Sequence, residues 1–303
     1  MAERRVSVFG GTGFLGRHIV RKLAASGWRV RVAARHPEKA DFPGVEPDLL
    51  EAQTTDIRDE QSVAAAVAGT SAVVNAVALY VERGDLDFEA VHVDGAGRLA
   101  RLSREAGAER LVHVSGIGSD PDSPSRLVRA KARGEEGVSS QFPGAAIVRP
   151  SVLFGRGDAF LANLEKATRA PVVPLFGSGD VKMQPAWVED VAQAIARLAT
   201  GGGQEVSAEP LEFGGAETLS YREAVEAVCD HLGRKRLLVP FPLDAWKVLV
   251  CAMAVLPEPP LTIDQLYLLA CDNTVDPGHD GFAALGMEPR PMTALLAQCL
   301  PTS

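Results

Sequence analysis

Val6-Ser7-Val8-Phe9-Gly10-Gly11-Thr12-Gly13-Phe14-Leu15-Gly16 decides how this chain is read. A short apolar run ends in a glycine-rich turn, and the turn passes directly into a helical pattern from Arg17 to Ala25. A strand–turn–helix unit in that order suits the pyrophosphate of a dinucleotide. Gly11 is expected to make the tight turn, because a residue without Cβ can adopt positive φ. Gly13 is expected to let the backbone approach the phosphates, and Gly16 to let the new helix pack closely on the strand. The helix start offers free N–H groups and a positive dipole end to an anion. Strand, turn and helix agree here, which a lone G-x-G-x-x-G match does not guarantee. Gly10, Gly11, Thr12, Gly13, Phe14, Leu15 and Gly16 are therefore the first candidates for contact with a dinucleotide.

Outward from this unit, apolar runs recur at Val6–Phe9, Val30–Ala33, Ala72–Ala78, Leu111–Val114 and Ala145–Val148. Between them lie helix-length patterns at Gly16–Ser26, Glu60–Ala68, Phe88–Glu105 and Ser125–Ser140. Continuous apolar strands separated by helices imply βαβ units and an α/β fold, a doubly wound parallel sheet of the Rossmann type. After Pro150 the rhythm breaks. Gly- and Pro-containing stretches at Phe154–Asp158 and Pro171–Gly179 read as loops, followed by helices at Val188–Ala199, Tyr221–Leu232 and Leu243–Leu256. The expected organisation is a dinucleotide-binding core over 1–150 and a smaller C-terminal lobe over 151–303, interleaved with the last strands of the sheet.

The second strand points to the cofactor. Proteins of this architecture that prefer NAD usually carry Asp or Glu at its end, on the ribose 2′-hydroxyl. Here Arg29-Val30-Arg31-Val32-Ala33 ends in Ala34-Arg35-His36, without an acid. The Arg35 guanidinium fork fits a 2′-phosphate, so NADP (as NADPH) is expected over NAD, with Arg35 and His36 at the site. A solvated arginine at a strand end is the plain alternative. Asp56 and Ile57 are placed at the adenine edge, and an ordinary helix N-cap by Asp56 before Glu60 is compatible with that. In this topology the end of the fourth strand, Ala76, Val77 and Ala78, borders the cofactor.

Composition bounds the rest. The chain has 303 residues, 46% of them hydrophobic, and a net charge of −8, which disfavours nucleic acid as a partner. No apolar stretch reaches the roughly 18–20 residues of a membrane span. The first strand begins within a few residues of Met1, so no targeting peptide is expected and a cytoplasmic location is. Cys229, Cys251, Cys271 and Cys299 are scattered without a C-x-x-C pair. Buried reduced thiols are expected rather than metal ligands or disulfides. The apolar stretch Phe241–Leu256 reads as a helix buried in the small lobe; a partner-facing or membrane-facing surface, at the inner face of a membrane, is the alternative.

Three further segments sharpen the reading. They are Arg149-Pro150-Ser151-Val152-Leu153-Phe154-Gly155, Gln184-Pro185-Ala186-Trp187-Val188-Glu189-Asp190-Val191-Ala192, and Asp272-Asn273-Thr274-Val275 preceded by Leu261-Thr262-Ile263-Asp264-Gln265. With the glycine turn they resemble the short-chain dehydrogenase/reductase superfamily. Within it they resemble the atypical branch that includes the 39-kDa subunit of respiratory complex I, from Val6 to about Leu296. The resemblance implies tight NADPH binding, with Pro150 and Val152 beside the cofactor. It also implies a respiratory or quinone-related protein complex as partner, the mitochondrial members being accessory, largely structural subunits; a related branch is linked to coenzyme Q biosynthesis.

The chain departs from the superfamily at its catalytic motif, Tyr-x-x-x-Lys. The lysine corresponds to Lys131, but four residues earlier stands Leu127, which has no proton to give. Ser115 matches the serine that polarises substrate, and His92 stands where a structural asparagine is usual. Lys131 can still bind ribose hydroxyls; a solvated helix lysine is the alternative. Tyr80, after the fourth strand, is the best stand-in for the missing acid. His92 either faces the site or packs, and His113 reads as a core histidine. Three functions stay open: a cofactor-stabilised accessory or assembly protein, an NADPH-dependent reductase or isomerase acting on a quinone-like or isoprenoid substrate, and a redox-sensing regulator.

Overall fold

The computed structural model describes residues 4–202, 209–254, 256 and 261–300. The first half runs β1 (Arg5–Phe9), α1 (Phe14–Ala25), β2 (Arg29–Ala34), β3 (Leu50–Thr54), α2 (Glu60–Val67), β4 (Ala72–Asn75), α3 (Ala96–Glu105), β5 (Arg110–Val114), α4 (Arg126–Gln141) and β6 (Ala146–Pro150). The second half continues with β7 (Leu153–Phe154), α5 (Ala159–Ala167), β8 (Val172–Phe176), β9 (Lys182–Met183), β10 (Ala186–Trp187), α6 (Val188–Thr200), β11 (Leu211–Phe213), β12 (Leu219–Ser220) and α7 (Tyr221–His231). Then come β13 (Leu237–Phe241), α8 (Leu243–Met253), α9 (Ile263–Leu269), α10 (Gly281–Ala284) and α11 (Met292–Cys299).

Among the described residues the main sheet has seven strands, all parallel, in the order β11-β6-β5-β4-β1-β2-β3. Alternate residues of each strand serve different helical layers. Val6, Val8, Val32, Val74 and Val112 pack with Ile19 and Leu23 of α1 and with Val191 and Ile195 of α6. Phe9, Ala33, Val73, Leu111 and Ile147 pack with Val63 of α2, Leu99 of α3 and Val138 of α4. Both faces are covered, so the polar residues these strands do carry are paired inside: the Ser7 hydroxyl donates to Ala66 O at 2.5 Å and Arg31 to the Glu51 carboxylate at 3.0 Å. The order reverses at β1, which lies between β2 and β4. A crevice opens there beyond the carboxyl ends of the strands, where sheets of this kind bind ligands.

Several boundaries differ from expectation. The fourth strand stops at Asn75 rather than Ala78, because the Asn75 side-chain oxygen accepts the Val77 N–H at 3.2 Å and draws the chain out of the ladder. The helix expected over Phe88–Glu105 starts as a π-helical stretch, Glu89–Gly95, before α3. The stretch Pro171–Gly179, read as a loop, contains β8, which pairs in parallel with β13. Edge strand β3, with sequence Leu-Glu-Ala-Gln-Thr, is too polar to show as an apolar run.

The C-terminal half contributes to both parts of the molecule. Its α6 packs on α1 and its β11 completes the sheet. A second core, with Phe154, Leu164, Leu175, Trp187, Val225 and Met292, lies beneath the small lobe. The burial expected for the apolar Phe241–Leu256 stretch is overturned: within α8 Val250 is buried, while Val248 and Leu249 are exposed. Val255 lies outside the described residues. The cysteines divide too, Cys229 and Cys299 buried as expected but Cys251 exposed; all four are free thiols.

Candidate dinucleotide-binding site

The glycine turn sits at the mouth of the crevice, and its geometry corrects one assignment. Gly10, not Gly11, takes positive φ, at +73°. A Cβ on Gly10 would also lie 2.6 Å from the Ala76 carbonyl oxygen, so the turn presses directly on the backbone that leaves β4. Gly11 is buried, and its Cβ would meet the Val8 carbonyl and a Val32 methyl, each at 3.0 Å. A Cβ on Gly16 would collide with the Gly10 carbonyl oxygen, which lets the first turn of α1 fold tightly over the loop. Gly13 is the N-cap of α1 and is exposed, and its N–H donates to Gly10 O at 2.9 Å. No acidic residue lies in the first turn of α1. A bare glycine backbone at the helix start and a dipole free of carboxylates fit a pyrophosphate. Phe14 reaches toward Gly155, whereas Leu15 is buried in the core and offers only its backbone.

Arg35 and His36 are exposed just beyond β2, and His36 faces Glu38 at 3.5 Å. The Arg35 charge acts weakly on Asp56, within electrostatic range of it. Asp56 itself is committed elsewhere. Its carboxylate accepts from the Arg58 side chain at 2.8–3.2 Å, and this pairing holds its pKa below the ordinary value. Nor does Asp56 cap the next helix: Asp59 does, accepting from Ser62 N–H at 2.9 Å. Ile57 points into the core beneath the π-helical stretch, close to Gly95. Ala76 and Val77 are half-buried and Ala78 exposed, along the rim beyond β4.

On the far side of β4 three expected residues converge. The Lys131 ammonium lies 3.5 Å from the Ser115 carbonyl oxygen and 5.2 Å from the centre of the Tyr80 ring. Tyr80 is 49% exposed. Ser115 is buried, and its hydroxyl is 3.0 Å from that of Ser119. Two imidazoles sit under this cluster. His113 is buried and its Nδ1 lies 3.0 Å from the Asn75 amide nitrogen; His92 Nε2 lies 3.0 Å from the Leu79 carbonyl oxygen. Burial, with the nearby Lys131 charge adding to it, pushes both pKa values down to about 4, so both rings are neutral at pH 7. His113 is thus a satisfied core histidine, and His92 packs.

Leu127 does not face this cluster with anything reactive. It is fully buried, packed with Phe88, Ala130, Leu79 and Leu268. Leu268 comes from α9, and Asp264 of the same helix accepts the Ser125 hydroxyl at 2.6 Å and the Leu127 N–H at 3.3 Å. The strap continues to Asn273, whose side-chain oxygen accepts the Ser151 hydroxyl at 2.6 Å and the Val152 N–H at 2.8 Å. Pro150 O accepts the Ile117 N–H at 3.2 Å, tying the loops after β5 and β6 together. Of these tethers the sequence shows Asp264 and Asn273 as parts of one motif without a role, and Pro150, Ser151 and Val152 as parts of another, with Pro150 and Val152 expected beside the cofactor. Gly134 was missed: a Cβ there would strike the His92 carbonyl, so α4 crosses the π-helical stretch backbone to backbone. A glycine inside a helical pattern was the available signal.

Comparisons with known proteins agree with this geometry. Residues 10–200 match a family model described as NAD(P)H-binding. The NADH dehydrogenase [ubiquinone] 1 alpha subcomplex subunit 9 of Arabidopsis thaliana is 32% identical over 302 residues, covering 93% of this chain and 74% of that one. The chain belongs to this family, the atypical short-chain dehydrogenase/reductases of the complex I 39-kDa subunit type. A ceramide reductase of Caulobacter vibrioides is a further relative, 35% identical over 195 residues, covering 63% of this chain and 59% of that one. In fold the family member described here is similar to an NADPH-dependent quinone oxidoreductase of Escherichia coli solved with NADPH, with a TM-score of 0.76, 16% identity, and coverage of 96% and 98% of the two chains.

Proposed function

We propose that this chain holds NADP(H) as a lasting structural ligand and serves as an accessory or assembly factor of a respiratory or quinone-linked complex. The observation that carries the reading is Leu127: the place four residues before Lys131 is filled by an alkyl side chain sealed under Leu268, while the phosphate-binding turn is intact. Binding is kept where proton transfer is lost. The preference for the phosphorylated dinucleotide rests on Arg35, exposed beyond β2 with no acid at that strand end. The relatives named as complex I subunits support the choice of partner. A cytoplasmic location, next to the inner face of a membrane, goes with it.

Mass spectrometry of the purified chain is expected to find NADP(H). Arg35→Ala should weaken NADPH binding about tenfold or more, the loss of a charge-assisted contact, and leave NADH within about twofold. Steady oxidation of NADPH by added quinones would overturn the structural role. A strain lacking the chain should show less assembled complex on native gels, and an unchanged amount would overturn the assembly role.

A second reading is favoured by the Lys131–Tyr80 pair. Bound NADPH would supply a hydride; Tyr80 would donate the proton to the reduced oxygen, with Lys131 holding the ribose. The relative named as a ceramide reductase adds a ceramide to quinones as trial substrates. Under this reading Tyr80→Phe abolishes turnover and leaves NADPH binding unchanged. Under the first there is no turnover to lose.

A further inference from the structure

The small lobe presents an apolar face that the described residues leave largely uncovered. Strands β8 and β13 pair in register, Val172 opposite Leu237 and Pro174 opposite Val239, and all four residues are exposed on the ribbon. At its far end Phe176 and Phe241 are covered by Trp246 of α8, at ring separations of 4.7 and 5.4 Å. From there α8 extends the face with Val248, 71% exposed, and Leu249. The only charges in α8, Asp244 and Lys247, pair with each other at 2.9 Å. An exposed apolar patch of this continuity marks an interaction surface.

Charge selects the occupant. Because β8 and β13 are parallel, the residues preceding both strands stand at the same end of the ribbon. They are basic: Lys166 and Arg169 before β8, and Arg234, Lys235 and Arg236 before β13. Arg236 donates to Thr168 O at 2.6 Å, so the two clusters touch. Arg169 and Arg234 share one carboxylate, Glu165. Among the described residues the exposed Lys166 and Lys235 make no ion pair. This local cationic surplus stands in a chain of net charge −8.

We propose that this face docks on an anionic lipid bilayer, the ribbon and α8 entering the interface and the basic end lying against the head groups. Apolar burial and polybasic attraction together are the two signals that stable interfacial attachment needs. The inference is independent of the bound dinucleotide and of any turnover.

Flotation of the full chain tests it, with vesicles of phosphatidylcholine alone and of phosphatidylcholine with phosphatidylglycerol. The chain should float with the mixed vesicles and far less with the neutral ones. Val248→Glu with Leu249→Glu should abolish flotation while keeping NADPH binding, which shows that the variant folds. Lys166→Ala and Lys235→Ala should each lower vesicle affinity about fivefold. A chain that stays soluble with both vesicle types overturns the proposal. So does equal flotation with both that ignores the two lysines. A dimer by light scattering that the double glutamate variant splits, without vesicle binding, would show instead that a second copy covers the face.

Discussion

Single residues of the turn carry most of what was legible. The pattern of glycines was readable because each glycine answers a steric demand. Which of them takes positive φ was not, since spacing alone does not say whether the turn bends at Gly10 or Gly11. Gly16→Ala places a methyl against the Gly10 carbonyl and should open the cradle. We expect NADPH affinity to fall about tenfold or more and stability by ~1–3 kcal/mol, the usual cost of overpacking, in dinucleotide titration and urea unfolding. His92 and His113 set the response to pH. Their ordinary pKa of 6.5 is lowered to about 4 in the folded state, mainly by burial. The unfolded chain therefore binds protons that the folded chain refuses between these values. Stability is complete above pH 6.5 and declines as pH falls toward 4, each ring contributing a slope of about 1.4 kcal/mol per pH unit. Urea unfolding from pH 7 to 4.5 measures this, and His113→Asn should remove about half of the slope.

At the scale of elements, apolar periodicity located β1, β2, β5 and the helices between them, because strands covered on both faces are mostly apolar, and Ser7, Arg31 and His113 are tolerated there only with partners. It failed where burial is partial, or where the strand is short or interrupted. Edge strand β3 is too polar, β11 has three residues, and β8 is interrupted by Pro174. It misjudged α8 for the converse reason: an apolar helix was read as a buried one, yet its outer side is open. The strap from Asp264 to Asn273 was visible as a motif, but its role depends on contacts across the fold. Asn273→Ala deprives the Val152 N–H of its acceptor and leaves the Ser151 hydroxyl with the backbone carbonyl of residue 273 alone, at 3.1 Å. A loss of ~1–3 kcal/mol is expected. Hydrogen exchange at the Val152 amide should quicken, and Asn273→Asp, which retains an acceptor, should recover most of the loss.

For the whole molecule, the seven-stranded sheet brings together residues far apart in sequence. Phosphate-turn glycines, the Ser115–Lys131–Tyr80 cluster and the strap all gather beyond the carboxyl ends of the sheet strands, and only the first of these could be placed from local sequence. A ligand that binds the folded chain alone stabilises it by mass action. NADPH at a hundred times its dissociation constant should add about 2.7 kcal/mol and raise Tm by roughly 5 °C, read by thermal shift. The strap has a consequence for biosynthesis. The glycine turn follows β1 and leaves the ribosome well before Leu268 and Asn273. A nascent chain can thus shape its phosphate cradle long before the opposite wall exists. Emergence of the strap, rather than encounter with the dinucleotide, then marks the moment at which the grip can close.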